Sequence, residues 1–255
     1  MSSVGNPIIY GGVGSPQSVY ETSTVQYHRT GQRGHLADRV FCYAKVTGTS
    51  IAPNVLAQSP VVVANHTSQT GALVGFTAGS RQFTAVLGAT AADANQYEDG
   101  YIKIQSSTLG SGQIYKLQSH GAVGSAGTGT FLTYDPIVTT TTGTTTWSLI
   151  RSPWAEPIIT PVTTQTNMNC GVPLVATGTG TATAPVFVWL QTWGMCSVLG
   201  DTTDLAAGTG VLGQGATAGT VALEAAASIT QRPGICFATL ATDNVFQSIF
   251  LRIAP

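Results

Sequence analysis

The amino-acid sequence predicts an all-β protein, made of two small antiparallel β-barrel or sandwich domains and an extended N-terminal arm. Short apolar and β-branched runs recur about every ten residues, which is the spacing typical of sandwiches and barrels. Turns bearing glycine, proline or aspartate separate these runs, and glycine occurs 30 times. Outside residues 222–227, no window shows helical periodicity over three turns.

The stretch VFVWLQTWGMCSVL, residues 186–199, is predicted to form the centre of the core. It carries Phe187, Trp189 and Trp193 without any charge, which is the composition of a strand buried on both faces. Gly194 interrupts it, and a glycine inside a strand marks a bulge or a sharp bend. We therefore expect two strands, residues 186–192 and 195–199, to meet at a corner.

Four segments follow from the remaining pattern: an extended arm over residues 1–30, a first β domain over 31–151, a proline-rich connector over 152–161, and a second β domain over 162–255. The arm is rich in glycine, serine and proline and has only isolated apolar residues. We expect it to become ordered by lying on another surface, with Ile8, Ile9 and Tyr10 as its contact residues.

Within the first domain, the run RVFCYAKV alternates as a strand does. The runs YIKIQ and QIYKLQ flank a loop that contains glycine, and this pattern predicts an antiparallel hairpin. The connector SPWAEPIITP has three prolines in ten residues. Because proline cannot donate a backbone hydrogen bond to a sheet, this segment is the expected domain boundary.

Positive charge is concentrated just after the arm, where one acidic residue, Asp38, accompanies four basic ones: Arg29, Arg33, Arg39 and Lys45. Such a patch could bind nucleic acid or the acidic side chains of a neighbouring subunit. Because the segment has no run of three basic residues, contact with a neighbouring subunit is the favoured interpretation.

The composition favours an assembly protein. Charged residues make up 8% of the chain, against about 25% in an average soluble domain, so its polar surface consists mainly of neutral side chains and backbone. Such surfaces suit lattices, stalks and adhesins. The net charge is −1, which provides no overall attraction for nucleic acid or an anionic membrane. Neither a signal peptide nor a membrane span is predicted.

No catalytic centre is recognisable, so we expect neither an enzyme nor a cofactor. Gly208, Gly210 and Gly213 satisfy G-x-G-x-x-G, but no strand–helix–strand unit surrounds them. The four single cysteines are expected to be buried free thiols rather than disulfides or a metal site. No zinc ligand set is visible.

Two pairs of carboxylates remain as weaker alternatives. Glu98 with Asp99 could form a glycan-cleaving pair, although turn chemistry explains an Asp-Gly sequence better. Asp201 with Asp204 could hold calcium together with loop carbonyls. No metal site is expected from the spacing of the other residues.

The order of RVFCYAKV, ANQYEDGYIKIQ, GSGQIYKLQSH, FLTYDPI, SPWAEPIITP, GVPLVA, FVWLQTWGMCSVL and VFQSIFLRI resembles a group of tailed-phage virion proteins. The resemblance covers the chain from about residue 25 to its end, and it is a pattern of strands and turns. It implies a capsid decoration protein or another head-associated structural protein, with no catalytic residues to carry over.

The resulting functional hypothesis is a capsid decoration protein that binds the outside of a phage head and stabilises contacts between capsomers. Its expected partners are the major capsid protein and two further copies of itself, and the expected location is the virion surface after synthesis in the bacterial cytoplasm. The alternative is a tail-fibre or receptor-binding module that contacts host glycans, for which Trp154 is the candidate aromatic residue.

Overall fold

The computed structural model describes residues 16–142, 144–162, 165–201, 205–213, 215–224, 231–238 and 245–254. Over these residues the regular structure is sixteen β-strands and a single 3-10 turn, Ala64–His66. The strands build two curled antiparallel sheets. The predicted fold class, all-β with two antiparallel β domains, is therefore confirmed.

The strands are numbered in chain order: β1 (Arg33–Leu36), β2 (Arg39–Val46), β3 (Ala57–Gln58), β4 (Gln69–Gly71), β5 (Gln82–Val86), β6 (Tyr101–Ser106), β7 (Ile114–His120), β8 (Thr128–Thr133), β9 (Thr145–Ile150), β10 (Ile158–Ile159), β11 (Asn169–Pro173), β12 (Val186–Leu199), β13 (Gly210–Leu212), β14 (Ala222–Leu223), β15 (Gly234–Cys236) and β16 (Phe246–Arg252).

The chain divides into two compact units, and the first is discontinuous. Unit 1 combines residues 1–60 with 153–255, and unit 2 is the single stretch 61–152. The second boundary falls at the start of the proline-rich connector. The division differs from the predicted domains because residues 31–60 belong with the C-terminal part: β2 pairs along β12, with Val46 opposite Val186.

In unit 1, ten strands form one sheet in the order β10-β3-β11-β12-β16-β15-β13-β14, with β2 also paired to β12 and β1 paired to β2. Trp193 lies opposite Val40 of β2 and also opposite Arg252 of β16. These two partners therefore flank β12 from its two sides. As a result, β12 is the central element of the unit, as its apolar composition suggests.

β12 runs as one strand of fourteen residues instead of the two predicted strands. The predicted irregularity is nevertheless present. The register with β2 shifts between Gln191 and Trp193, and Gly194 has φ +88°. The bulge bends β12 without interrupting it, because β16 continues the pairing from Trp193 to Leu199.

Residues 16–30 lie on unit 1 itself. Val19 is fully buried against Phe41, Tyr43, Phe187 and Trp189. The backbone of Ser23 exchanges hydrogen bonds of 3.0 Å and 2.7 Å with that of Phe187. This part of the predicted arm therefore covers Phe187 and Trp189 on one face of the first half of β12.

Unit 2 has a six-stranded sheet in the order β4-β9-β6-β7-β8-β5. The predicted hairpin is present as β6 and β7, with Tyr101 opposite Lys116. One cluster of buried apolar side chains fills the unit, and its largest members are Trp147, Tyr97, Phe76, Phe83 and Phe131.

A buried polar network lies beside this cluster. His120 accepts the backbone N–H of Tyr97 at Nε2 over 3.0 Å, and its Nδ1 lies 2.7 Å from the carbonyl oxygen of Gly121. His66 bonds to the Tyr97 hydroxyl and to the carbonyl oxygen of Thr90. Since a carbonyl accepts only, Nδ1 of His120 carries its proton, and both ring nitrogens of the neutral side chain are satisfied.

Candidate functional site

One face of the unit 1 sheet carries large apolar side chains and is open to solvent over three adjacent strands, with the paired Ser197 and Ser248 among them. Burial alternates along β16 from Phe246 to Arg252: Gln247, Ile249 and Leu251 are buried, and the residues between them are exposed or half-buried. The same alternation holds from Trp193 to Leu199 of β12. A sheet whose second face is uncovered gives this pattern.

We call this surface the outer face and define it by six residues: Trp193 and Met195 of β12, Phe246 and Phe250 of β16, Ile235 of β15, and Phe237 just after β15. Phe250 lies directly opposite both Met195 and Ile235. The rings of Trp193 and Phe250 pack edge to face, with centroids 5.6 Å apart. By standard strand geometry the outer face is roughly 10 Å wide and 20 Å long.

Two residues of the outer face are strongly exposed. Phe237 is 68% exposed and Phe246 is 53% exposed. The first half of β12 has no such surface, because both of its faces are buried: Phe187 and Trp189 lie under residues 16–30, and Val188 and Leu190 belong to a second core cluster. Among the residues that the structure describes, no comparable segment covers the second half.

A cleft of about 430 Å³ adjoins one end of the outer face. Arg252 and Ile235 border both surfaces, and Arg232 and Glu224 line the rest of the cleft together with three glycines. Arg232 forms an ion pair with Glu224, whose side chain is only 18% exposed. Within the described part of the chain, the guanidinium of Arg252 has no hydrogen-bond or ion-pair partner.

Two glycines of the G-x-G-x-x-G match belong to this cleft. Gly208 and Gly210 line it, whereas Gly213 lies against the side-chain amide of Asn169. Strand β13 begins at Gly210, and over the described residues no α-helix follows it. The positive end of a helix, on which dinucleotide binding depends, is therefore not part of this described site.

The basic residues proposed as partner contacts do not form one patch. Arg39 and Lys45 lie at the two ends of β2, roughly 20 Å apart by strand geometry. Arg39 donates to the Tyr20 hydroxyl at 3.3 Å, while Arg33 lies opposite Cys42 on the other face of the strand pair. Their contact with a partner stays a prediction.

The other proposed contacts and core residues are placed as follows. Ile8, Ile9 and Tyr10 lie outside the described residues. Phe187 and Trp189 are buried, with exposures of 3% and 0%. Gly194 is also buried, but Trp193 is only half-buried and belongs to the outer face.

The candidate glycan contact Trp154 is a packed side chain. It lies half-buried against a core cluster of unit 1, and its Nε1 donates to the carbonyl oxygen of Cys170 at 2.9 Å. An aromatic side chain that stacks on a sugar needs a free face, and the outer face offers more exposed rings than Trp154 does.

In unit 2, the carboxylate of Asp99 takes part in a local structural contact. Asp99 is 2% exposed, accepts the Tyr134 hydroxyl at 3.0 Å and lies 3.8 Å from Lys116 Nζ. Its backbone has φ +58°, in the left-handed region that aspartate tolerates in turns. Turn chemistry, as expected from the Asp-Gly sequence, accounts for this arrangement.

The described residues contain no group of three or more histidine, cysteine, aspartate or glutamate side chains suited to a metal ion. Asp201 is buried beside Gly215, and Asp204 lies outside the described residues. Of this pair the structure describes only Asp201, so the calcium alternative stays a prediction.

All four cysteines are buried free thiols. Burial raises the pKa of Cys42 to about 11 and that of Cys196 to about 12, and it also raises the pKa values of Cys170 and Cys236. Because the thiolate is the reactive form, these side chains are chemically quiet in the folded protein.

Comparison with models of known protein families, with curated proteins and with solved structures found no match. In the part of the chain that the structure describes, no helix is long and apolar enough to cross a membrane. The outer face and the cleft are consequently the features of the molecule that bear on its function.

The sequence did not identify most of these residues. Along β16, both the buried side and the exposed side carry large apolar residues, so alternation alone could not show which side faces solvent. Glu224, Arg232 and Arg252 are separated in sequence and only the sheet brings them together. The sequence did contain one usable signal for this site. On the exposed side of β16, Phe246 and Phe250 are followed by Arg252, and this combination of aromatic rings and an arginine is typical of an interaction surface.

Proposed function

We propose that the chain is a structural virion protein that decorates the outside of a phage head and stabilises contacts between neighbouring capsomers. Its partner is the major capsid protein. It acts as a homotrimer, because a decoration protein has to match the symmetry of the sites that it covers. It is made in the host bacterial cytoplasm, is located on the capsid surface, and acts by burying area without catalysis or a cofactor.

The outer face is the observation that carries this proposal. It combines Trp, Met, Phe and Ile side chains and ends at Arg252. Aromatic residues, methionine and arginine are the residue types enriched in the centres of protein interfaces. At roughly 200 Å² the outer face is smaller than a whole interface, so it would supply the centre of a larger contact with the partner.

The composition supports the same proposal. With 8% charged residues, the chain has little of the scattered charge that keeps freely diffusing proteins apart. The resemblance of its strand and turn pattern to head-associated phage proteins supplies the identity of the partner.

The test uses phage heads that lack this protein, to which purified variants are added. Phe237→Ser and Phe246→Ser remove exposed rings and should preserve the fold. The control Val138→Ser removes a 76% exposed apolar side chain from unit 2. We expect each phenylalanine variant to lower occupancy on the heads by about tenfold, in the range of a central interface residue, and the control to bind as the unchanged protein does.

Two results would contradict the proposal. The first is full occupancy by the double variant of Phe237 and Phe246. The second is no binding of the unchanged protein to heads or to isolated capsid protein. The homotrimer has a separate measurement: light scattering on the purified chain should give three times the 26.2 kDa chain mass, and a monomer at high concentration contradicts it.

The same residues favour a second candidate, the tail-fibre or receptor-binding module. Exposed rings beside a charged cleft are features that sugar-binding sites also use, and here Trp193 and Phe250 would be the stacking residues. A glycan array separates the candidates. Selective glycan binding that is lost in Phe250→Ser, together with no affinity for heads, would favour the receptor-binding module.

A further inference from the structure

The cleft has an excess of positive charge in a chain that has few charges. The whole sequence contains 10 lysine and arginine residues, and two of them, Arg232 and Arg252, line this one cleft. The carboxylate of Glu224 neutralises Arg232 through their ion pair. The cleft therefore has a net positive charge of one, provided by Arg252. A ligand with one negative charge matches it.

The position of Arg252 is set by the sheet. Its backbone N–H donates to the carbonyl oxygen of Pro233 at 2.7 Å, and it lies opposite Trp193. The exposed guanidinium thus stands at the end of a fixed strand, next to an apolar surface. A planar guanidinium presents two parallel N–H donors, which fit the two oxygens of a carboxylate.

The lining favours a carboxylate on a protein over one on a sugar. Gly208, Gly210 and Gly234 contribute backbone only, and Ile235 is apolar. Among the described lining residues, the polar side chains are two arginines, which only donate hydrogen bonds, and one glutamate that is already paired. A saccharide carries many hydroxyl groups, whereas an aspartate or glutamate side chain needs only the arginine and the space beside it.

We propose that the cleft is a carboxylate-binding site, and that its ligand is an aspartate or glutamate side chain of the protein surface on which the outer face docks. The identity of that surface rests on the proposed function. The carboxylate pairs with Arg252 while the neighbouring apolar groups of the partner cover Phe250 and Phe237. The ion pair fixes the orientation of the partner, and the apolar contact supplies most of the buried area.

The site is tested on the purified full chain by NMR, observing the Nε–H signals of the arginine side chains. The probes are N-acetyl-aspartate methylamide, its uncharged asparagine counterpart, and glucuronate. We expect the aspartate probe to shift the Arg252 signal at millimolar concentration and the asparagine probe to leave it unchanged. In Arg252→Gln, the affinity measured from the backbone signals of Ile235 and Gly234 should fall at least about tenfold.

Arg81→Gln is the matched control, because Arg81 is an exposed arginine of unit 2 with no predicted role in partner binding. It should bind the aspartate probe as the unchanged chain does. An aspartate response that persists in Arg252→Gln, or a response of equal size to the asparagine probe, overturns the proposal. Tighter binding of glucuronate than of the aspartate probe, by about tenfold, would assign the site to an acidic saccharide and overturn the protein ligand.

Head binding distinguishes failure of this inference from failure of the proposed function. If Phe237→Ser loses occupancy and Arg252→Glu retains it, the outer face is the docking surface and the carboxylate site is refuted. If the unchanged protein binds the aspartate probe but does not bind heads, the decoration role is refuted and the carboxylate site stands. We expect Arg252→Glu to lower occupancy on the heads by about tenfold or more, because the introduced carboxylate would repel the carboxylate of the partner.

Discussion

Gly194 is the residue that allows the turn between β1 and β2 to approach β12 closely. Its φ of +88° lies in the left-handed region, and a Cβ at this position would lie 2.8 Å from the carbonyl oxygen of Asp38 and 3.2 Å from the Cα of Arg39. Both neighbours are backbone atoms, so neither can move aside as a flexible side chain would. The residue therefore couples the bulge of β12 to the position of the β1–β2 hairpin.

Gly194→Ala is expected to destabilise unit 1 by about 1–3 kcal/mol, because it adds both backbone strain and a steric conflict. Gly48→Ala is the control, since a Cβ at Gly48 meets no atom within 4 Å, and it should change the free energy of unfolding by less than about 0.5 kcal/mol. Urea unfolding followed by circular dichroism measures both. Equal stability of the two variants would show that the approach to Asp38 imposes no constraint.

At the scale of elements, the two halves of β12 lie in different environments, on either side of the bulge between Gln191 and Trp193. Over its first half, the segment 16–30 is held by Gln17, whose side-chain amide donates to the carbonyl oxygen of Phe187 at 2.9 Å and whose Oε1 accepts the Tyr43 hydroxyl at 2.8 Å. Over its second half, Trp193 and Met195 stay half-exposed. The N-terminal segment is thus part of the fold of unit 1 as far as residue 16.

Two truncations test this division. Removal of residues 1–15 provides the reference, because it leaves the described segment 16–30 intact. Removal of residues 1–30 takes away Val19 and uncovers Phe187 and Trp189, and it should cost about 2–5 kcal/mol, comparable to the loss of a large buried side chain. Urea unfolding detected by tryptophan fluorescence gives both values. A truncation at residue 30 with unaltered stability would mean that the segment is only an attached arm.

The sequence predicted individual strands well because strand formation is a local property. The limits of β2 and the hairpin of β6 and β7 follow from alternation and from glycine in the loop. The pairing of β2 with β12 was not predictable, because alternation fixes the faces of a strand but not its partner 140 positions away. For the same reason the sequence placed Trp193 in the core, whereas its exposure depends on the absence of a covering layer among the described residues.

The hydrogen bonds of His120 connect β7 to the loop that contains Tyr97. Burial lowers the pKa of His120, and the nearby His66 lowers it further, while the bond to the Gly121 carbonyl opposes the change. The unfolded chain takes up a proton near pH 6.5, at which the folded state still keeps the ring neutral. The contribution of His120 to the free energy of unfolding is therefore complete above pH 6.5, and it is lost progressively as the pH falls below that value.

Unit 2 should consequently become less stable between neutral pH and pH 5, by up to about 1.4 kcal/mol per pH unit for one histidine. Amide exchange of β6 and β7, corrected for the intrinsic effect of pH, measures the free energy of opening in this unit. His120→Gln should weaken that pH dependence, whereas His35→Gln, in unit 1, should preserve it. Opening free energies that do not change with pH would exclude His120 as the acid-sensitive group.

At the scale of the whole molecule, the order of the segments along the chain predicts that the two units fold at different rates. Unit 2 is one continuous stretch, and its strands β4 to β9 pair only with one another. Unit 1 requires β2 to find β12 after the whole of unit 2 has been made, because Val46 pairs with Val186. Pairing over such a distance is slow, since the entropy of closing the loop opposes it before any contact forms.

A fragment of residues 61–152 should therefore fold without the rest of the chain. It keeps its complete buried cluster, including Trp147, and its six paired strands. We expect a cooperative urea transition with near-ultraviolet circular dichroism from Trp147, as in other domains of about 100 residues. Residues 1–60 form the matched control and should stay unfolded, because β2 then lacks its partner β12. If the 61–152 fragment shows no cooperative transition, its sheet must depend on unit 1 for stability, and the two units would have to fold together.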